Sequence, residues 1–289
     1  MGLRLKFNLV LILVFALGLA ASGYVSRRIL ETNAQEEVAR NAELMMSAAL
    51  AIRGYTSKQV RPQLELQMMR AFVPQSVPAY AATEMFNTMR EQHPEYTYKE
   101  ATLNPTNPRD RAVEWEADIV QQFRNDPKQT EIRGVRETPT GRSLYLAKPL
   151  TIKDPACISC HDTPDVAPKT MLAKYGGANG FGWKVGETVG AQIISVPMSV
   201  PLAKADQAFK TFMTSLLGVF LLAFIVLNLV LSFLVIRPIV RMSKAADEVS
   251  TGNFDVPEFA VSSRDEIGVL ATSFNRLRRS LEKAMKLLE

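Results

Sequence analysis

Twenty-five consecutive residues, Phe212 to Ile236, carry no charge. About 20 apolar residues suffice to cross a bilayer as a helix, so this run ties the chain to a membrane before anything else about it is read. A second uncharged run, Leu9 to Val25, follows Arg4 and Lys6. It has the length of a membrane segment or of a secretory signal peptide, and Gly18, Ala20, Ala21 and Ser22 offer small residues for cleavage. The next segment favours a retained anchor. Val38, Ala42, Met45, Ala49 and Ile52 recur at steps of four and three, which predicts a helix running straight out of the membrane. Flanking charge does not orient the chain, since Arg27 and Arg28 match Arg4 and Lys6.

Roughly 180 residues of soluble character separate the two runs. The stretch from Val73 to Pro78 and the Asn104-Pro105-Thr106-Asn107-Pro108 run mark irregular loops or tight turns. Ala112 to Phe123 reads as a short helix. Glu131 to Val135 and Ser143 to Ala147, separated by Pro139-Thr140-Gly141, alternate as a hairpin, and Val189 to Val196 predicts another strand after the glycine-rich loop Gly176 to Gly186. Helices followed by a small antiparallel sheet imply an α+β domain. The net charge of +5 comes with no Lys/Arg-rich run, so nucleic acid is not an expected partner.

The two cysteines of the chain, Cys157 and Cys160, lie three residues apart and directly before His161. Cys157-Ile158-Ser159-Cys160-His161 is the C-x-x-C-H pattern of c-type haem attachment. The spacing has a physical cause: each thiol must reach one vinyl group of the porphyrin while the adjacent imidazole ligates the iron. A thioredoxin-type pair would need a helix start after a buried strand, and Pro155 and Pro164 make the surroundings loop-like. A zinc site would have to use adjacent Cys and His ligands, which is awkward for one tetrahedral ion. In bacteria the thioether bonds are made outside the cytoplasmic membrane, so residues from about 28 to 208 are expected in the periplasm, with both membrane helices crossing once. The sixth iron position stays open between Met46, Met45, His93, Met171 and vacancy. Met46, Leu50 and Arg53 share one helical face, which would set a Met over the iron, as a metal ligand beside His161, and an Arg near the propionates.

Beyond the second membrane run, Ile239, Met242, Ala246 and Val249 form a short heptad stripe. A connector with Gly252 and Pro257 follows, and then Ile267, Leu270, Phe274, Leu277, Leu281, Ala284 and Leu288 form a longer one. Two such helices cannot bury their stripes alone, so a parallel homodimer is expected. Arg237-Pro238-Ile239 and Asp265-Glu266-Ile267-Gly268 resemble the HAMP linker over about 237–289. That resemblance implies a module relaying motion from membrane helices, with Pro238 and Glu266 at its structural signature positions. The chain stops where a kinase, cyclase or methyl-accepting output would begin, which points to a separate signalling partner such as a histidine kinase and to no enzymatic activity of its own.

The middle region resembles the PAS-like periplasmic haem-c domains of bacterial membrane sensors. The residues that carry this are Arg53-Gly54-Tyr55-Thr56, Phe72-Val73-Pro74, Tyr98-Lys99-Glu100-Ala101, Asn104 to Pro108, the Cys157 to His161 motif, and Tyr175-Gly176 with Gly180-Phe181-Gly182-Trp183-Lys184. The resemblance implies His161 as an axial ligand and a role in sensing redox state or a small ligand. At least one type of relative uses a distal Cys, and this chain has no third cysteine. The expected organisation is a membrane anchor at 1–27, a haem-c domain at 28–208, a second membrane helix at 209–236 and a HAMP module at 237–289, in the bacterial inner membrane. A membrane-anchored c-type cytochrome for electron transfer is the alternative.

Overall fold

The computed structural model describes residues 2–139, 141–259 and 265–287. The chain gathers into two compact units: Arg27–Ala208, and Met1–Ser26 together with Phe209–Glu289.

Helix α1 (Leu3–Tyr55) enters the first of these units with a buried stripe of Ala34, Val38, Ala42, Met46 and Ala49. The last turn gives way to a wider π-type turn, Thr56–Val60, and to short helices α2 (Arg61–Gln63) and α3 (Glu65–Arg70). Helix α4 (Pro78–Arg90) starts on Pro78, whose missing N–H costs nothing in a first turn. Strand β1 (Thr97–Thr102), helix α5 (Glu114–Asn125) and strands β2 (Ile132–Thr138) and β3 (Gly141–Thr151) follow. After β3 come α6 (Ile158–His161), α7 (Lys169–Tyr175) and β4 (Thr188–Pro197).

The four strands form one antiparallel sheet in the order β1-β4-β3-β2. Central β4 is buried at every position except Thr188 and Ser195, as a strand covered on both faces must be. One face presents Tyr98, Leu146, Ile194 and Val196 to the α1 stripe and to Ala82 and Phe86 of α4. The other presents Ala101, Ala147, Ala191 and Ile193 to Ile119, Val120 and Phe123 of α5. Gly190 of β4 has no room for a side chain, since a Cβ there would lie 2.9 Å from Thr102 Oγ1 and closer still to the Ala101 carbonyl. The hairpin and the strand at 189–196 stand where their sequence patterns put them, although Thr140 of the turn lies outside the described residues.

In the second unit, the early part of α1 and α8 (Ser199–Val230) are both long and apolar enough to cross a membrane. Phe15 stacks on Phe220 with ring centroids 4.7 Å apart. After a second π-type turn, Leu231–Ile236, come α9 (Arg237–Ser250), with Pro238 in its first turn, and α10 (Glu266–Lys286). Asp265 caps α10 by accepting from Gly268 N at 3.0 Å.

One stripe assignment needs correcting, and one helix shows a second face. In α9 the buried residues are Met242, Ala245 and Val249, so Ala245 takes the place expected of Ala246. In α10 the face turned inward is Gly268, Ala271 and Asn275, because the connector lies along it: Asn275 grips the backbone of Phe259 with two hydrogen bonds, and Phe259 and Phe274 meet edge to face. Leu270, Leu277 and Leu281 form a separate face, 50%, 58% and 41% exposed in the single chain. Leu288 lies outside the described residues.

Candidate cofactor site

The sheet delivers the C-x-x-C-H motif. Beyond the end of β3 the chain stays paired with the segment before β4, through Ile152 N to Glu187 O at 2.9 Å and Gly186 N to Ile152 O at 2.8 Å. Asp154 then turns the backbone by accepting from Ala156 N, and a 3-10 turn, Pro155–Cys157, runs into α6. On helical backbone Cys157, Cys160 and His161 stand at i, i+3 and i+4, one face of a helix. All three line one cavity of about 600 Å³, and both thiols are free. Burial pushes the Cys157 thiol up, as does Asp154, while Arg61 and Arg53 oppose the shift.

His161 is held from behind. Its Nδ1 lies 2.7 Å from the Gly180 carbonyl, and Trp183 stacks on the imidazole at 3.9 Å with the rings 11° from parallel. A carbonyl only accepts, so Nδ1 carries the proton and Nε2 keeps its lone pair. Burial lowers the pKa of His161 against the opposing bond to Gly180, which favours the neutral ring. The glycine loop is itself clamped. Trp183 N donates to His161 O and Gly182 N to Asp162 O, while Asn104 accepts from Gly180 N and donates to Phe181 O. Gly180 has φ +86°, and a Cβ on it would run into the Thr106 hydroxyl and lie 2.8 Å from Thr106 Cα. The Asn104-to-Pro108 loop and the Gly180-to-Trp183 loop are thus two halves of one support for the imidazole.

The opposite wall comes from the end of α1. Arg53, Ser57 and Arg61, spaced four apart through the π-type turn, all face the cavity. Arg53 forms an ion pair with both oxygens of Glu100, which is 2% exposed and also accepts from Tyr98 Oη at 2.6 Å. Burial would lower the pKa of Arg53, but Glu100 and Tyr98 outweigh it and raise the value; burial and Glu100 raise Tyr98. Arg61 has no carboxylate partner among the described residues.

Cys157, Cys160, His161 and Arg53 therefore meet at one cavity. Met46 does not join them. It is 1% exposed within the apolar core beside Phe86 and Tyr98, and it is not among the cavity's lining residues, so the expectation of a Met46 ligand is corrected. Met45 packs on the same core, and His93 stands outside the cavity, edge to face with Tyr96. Met171 does line it, as does Met68, which the sequence does not single out. Glu100, Gly180 and Trp183 stand out in the sequence only through a family resemblance, although a lone buried Glu in an alternating strand signals a paired charge.

The Tll0287-like family model matches residues 31–197. The chain belongs to this family. A HAMP domain model matches residues 230–283. Among curated proteins, the Heme sensor protein HssS of Staphylococcus aureus strains JH9 and Newman is 34% identical over 90 residues, which are 30% of this chain and 19% of that protein. The chain thus spans about a fifth of the length of the curated relatives it matches. Among solved structures, the cyanobacterial heme-protein Tll0287 aligns with a TM-score of 0.37 and 14% identity, covering 57% of this chain and 91% of that one.

Proposed function

We propose that residues 28–208 form a periplasmic sensor domain carrying one covalent haem c, held at the bacterial inner membrane by helices at about 1–27 and 209–236. The observation that carries this reading is the convergence of the two thiols and the back-bonded imidazole of His161 on one cavity of about 600 Å³. That volume lies in the range of cofactor sites, ~300–1,000 Å³. Cys157 and Cys160 would form the thioethers, His161 would be the axial ligand, and Arg61, free of any carboxylate among the described residues, would face the propionates. A haem c bound there would supply an iron that changes oxidation state or takes a diatomic ligand.

The chain's own parts do the rest. Gly180 and Trp183 fix the imidazole plane, and Arg53 ties the end of α1 to Glu100 on the sheet. The HAMP module at 237–289 would dimerise through the exposed leucines of α10 and pass a shift between two packed states to a downstream signalling partner such as a histidine kinase. Membership of the Tll0287-like family, the HAMP match and the name of HssS support sensing. Replacing Cys157 and Cys160 together by Ala should abolish covalent haem in a pyridine haemochrome assay, and His161→Ala should lose the low-spin spectrum while keeping the haem attached. Covalent haem surviving in the double variant would overturn the assignment.

A further inference from the structure

Arg109 and Asp110 stand in a wall with two sides. They line the cofactor cavity, and they also line a second cleft of about 570 Å³, open to solvent over Lys99 and Ser195 of the sheet. The other buried carboxylates nearby are fully engaged: Glu100 by Arg53 and Tyr98, Glu116 by Lys99 and the Val113 N–H. Asp110 is not. Its side chain is 19% exposed, and its carboxylate has a single ionic neighbour, Arg109 Nε at 3.8 Å, with no hydrogen bond among the described residues. Arg109 is itself drawn away by Glu84.

A carboxylate left this poorly satisfied is more easily protonated, because little around it stabilises the charged form. Burial pushes the Asp110 carboxyl up to about 6; Arg109 and Lys99 pull it down, and Glu100 and Glu84 push it further up. Tyr175, from α7, whose pKa burial raises, also feels the Asp110 charge, which raises it further.

We propose that Asp110 is the proton-exchange group of the cofactor cavity, binding one proton from the solvent cleft when the cavity gains an electron and releasing it on oxidation. The inference rests on the haem c reading. The balance is simple: an external one-electron donor reduces the iron by one unit, one proton passes from solvent through the cleft to a carboxylate oxygen of Asp110, and no other bond changes. The cause is electrostatic, since a cavity with one less positive charge favours the neutral carboxyl. By linkage the reduction equilibrium must then depend on pH.

The test is a redox titration of the full chain in detergent from pH 5 to 8, with covalent haem measured in parallel. The wild type should show a reduction equilibrium that falls with rising pH through a window near pH 6, approaching tenfold per unit. Asp110→Asn should flatten the profile with haem content and His161 ligation unchanged, and Asp110→Glu should restore a sloping one. A flat wild-type profile with haem present, or an unaltered slope in Asp110→Asn, overturns the proposal alone; absence of covalent haem overturns the haem reading and the proposal with it. Thermal melting gives a readout that needs no redox change. A folded pKa raised above the unfolded one makes the ionised group a cost that is absent below the unfolded pKa and complete above pH 6. Asp110→Asn should therefore melt higher than wild type at pH 8 and lose that advantage by pH 4; equal melting at pH 8 removes the buried-carboxylate premise.

Discussion

Replacing Gly180 by Ala probes the support behind His161 without replacing a residue that lines the cavity. At φ +86° a Cβ costs about 1–2 kcal/mol in backbone strain. The clash with Thr106 adds to it, because Thr106 Cα, 2.8 Å from the new methyl, is backbone and cannot rotate away. If the loop yields, the Gly180 carbonyl leaves His161 Nδ1 and the Gly180 N–H leaves Asn104, two hydrogen bonds of about 1 kcal/mol each. The total, about 3–4 kcal/mol, corresponds to a fall in melting temperature of roughly 10 °C for a domain of this size. On the proposed haem c reading the thioethers would depend on Cys157 and Cys160, in the 3-10 turn and α6, and not on the loop, so covalent haem should remain while His161 loses its orientation, an effect of about 10–100-fold where such outer partners of a metal ligand are removed. The assay is a pyridine haemochrome measurement beside the native absorption spectrum. Adding Thr106→Ala should recover only part of the loss, since the main chain of residue 106 still stands against the new methyl. A Gly180→Ala chain with wild-type melting and an unchanged spectrum would refute the reasoning.

Glu100→Gln leaves the Arg53 guanidinium half-paired at the cavity wall and should cost about 2–4 kcal/mol in urea unfolding, with Arg53→Met plus Glu100→Leu recovering much of it; a loss below about 0.5 kcal/mol would mean the pair contributes nothing. Single cysteines at Leu270 and Leu277 should crosslink between two copies of the chain in membranes and one at Val269 poorly, whereas equal yields at all three would count against the parallel register.

Much of this architecture is written in local pattern. The hairpin and the strand at 189–196 follow from alternation, and the motif from Cys157 to His161 announces its own geometry. Strand β1 is hidden, because Lys99 and Glu100 make Thr97–Thr102 look solvated; their charges are in fact answered across the fold by Glu116 and Arg53. Met46 fails for a different reason. It shares a helical face with Arg53, but seven residues of rise, about 10 Å, separate the two along α1, and the apolar core ends between them. In α10 the sequence offers one stripe of leucines, whereas the connector needs a smooth strip of Gly268, Ala271 and Asn275 beside it. Small and polar residues that serve such packing carry no periodic signal.

One junction has mechanical meaning. A single residue, Met198, separates β4 from α8; it is 2% exposed, and its N–H is pinned to the Arg142 carbonyl at 2.9 Å. One residue can stretch by no more than about 3.5 Å, and this one is already tethered at its middle. The joint therefore has almost no compliance. Tension applied to the central strand arrives at the base of α8 undiluted, and the sheet and the first turn of that helix behave as one stiff lever.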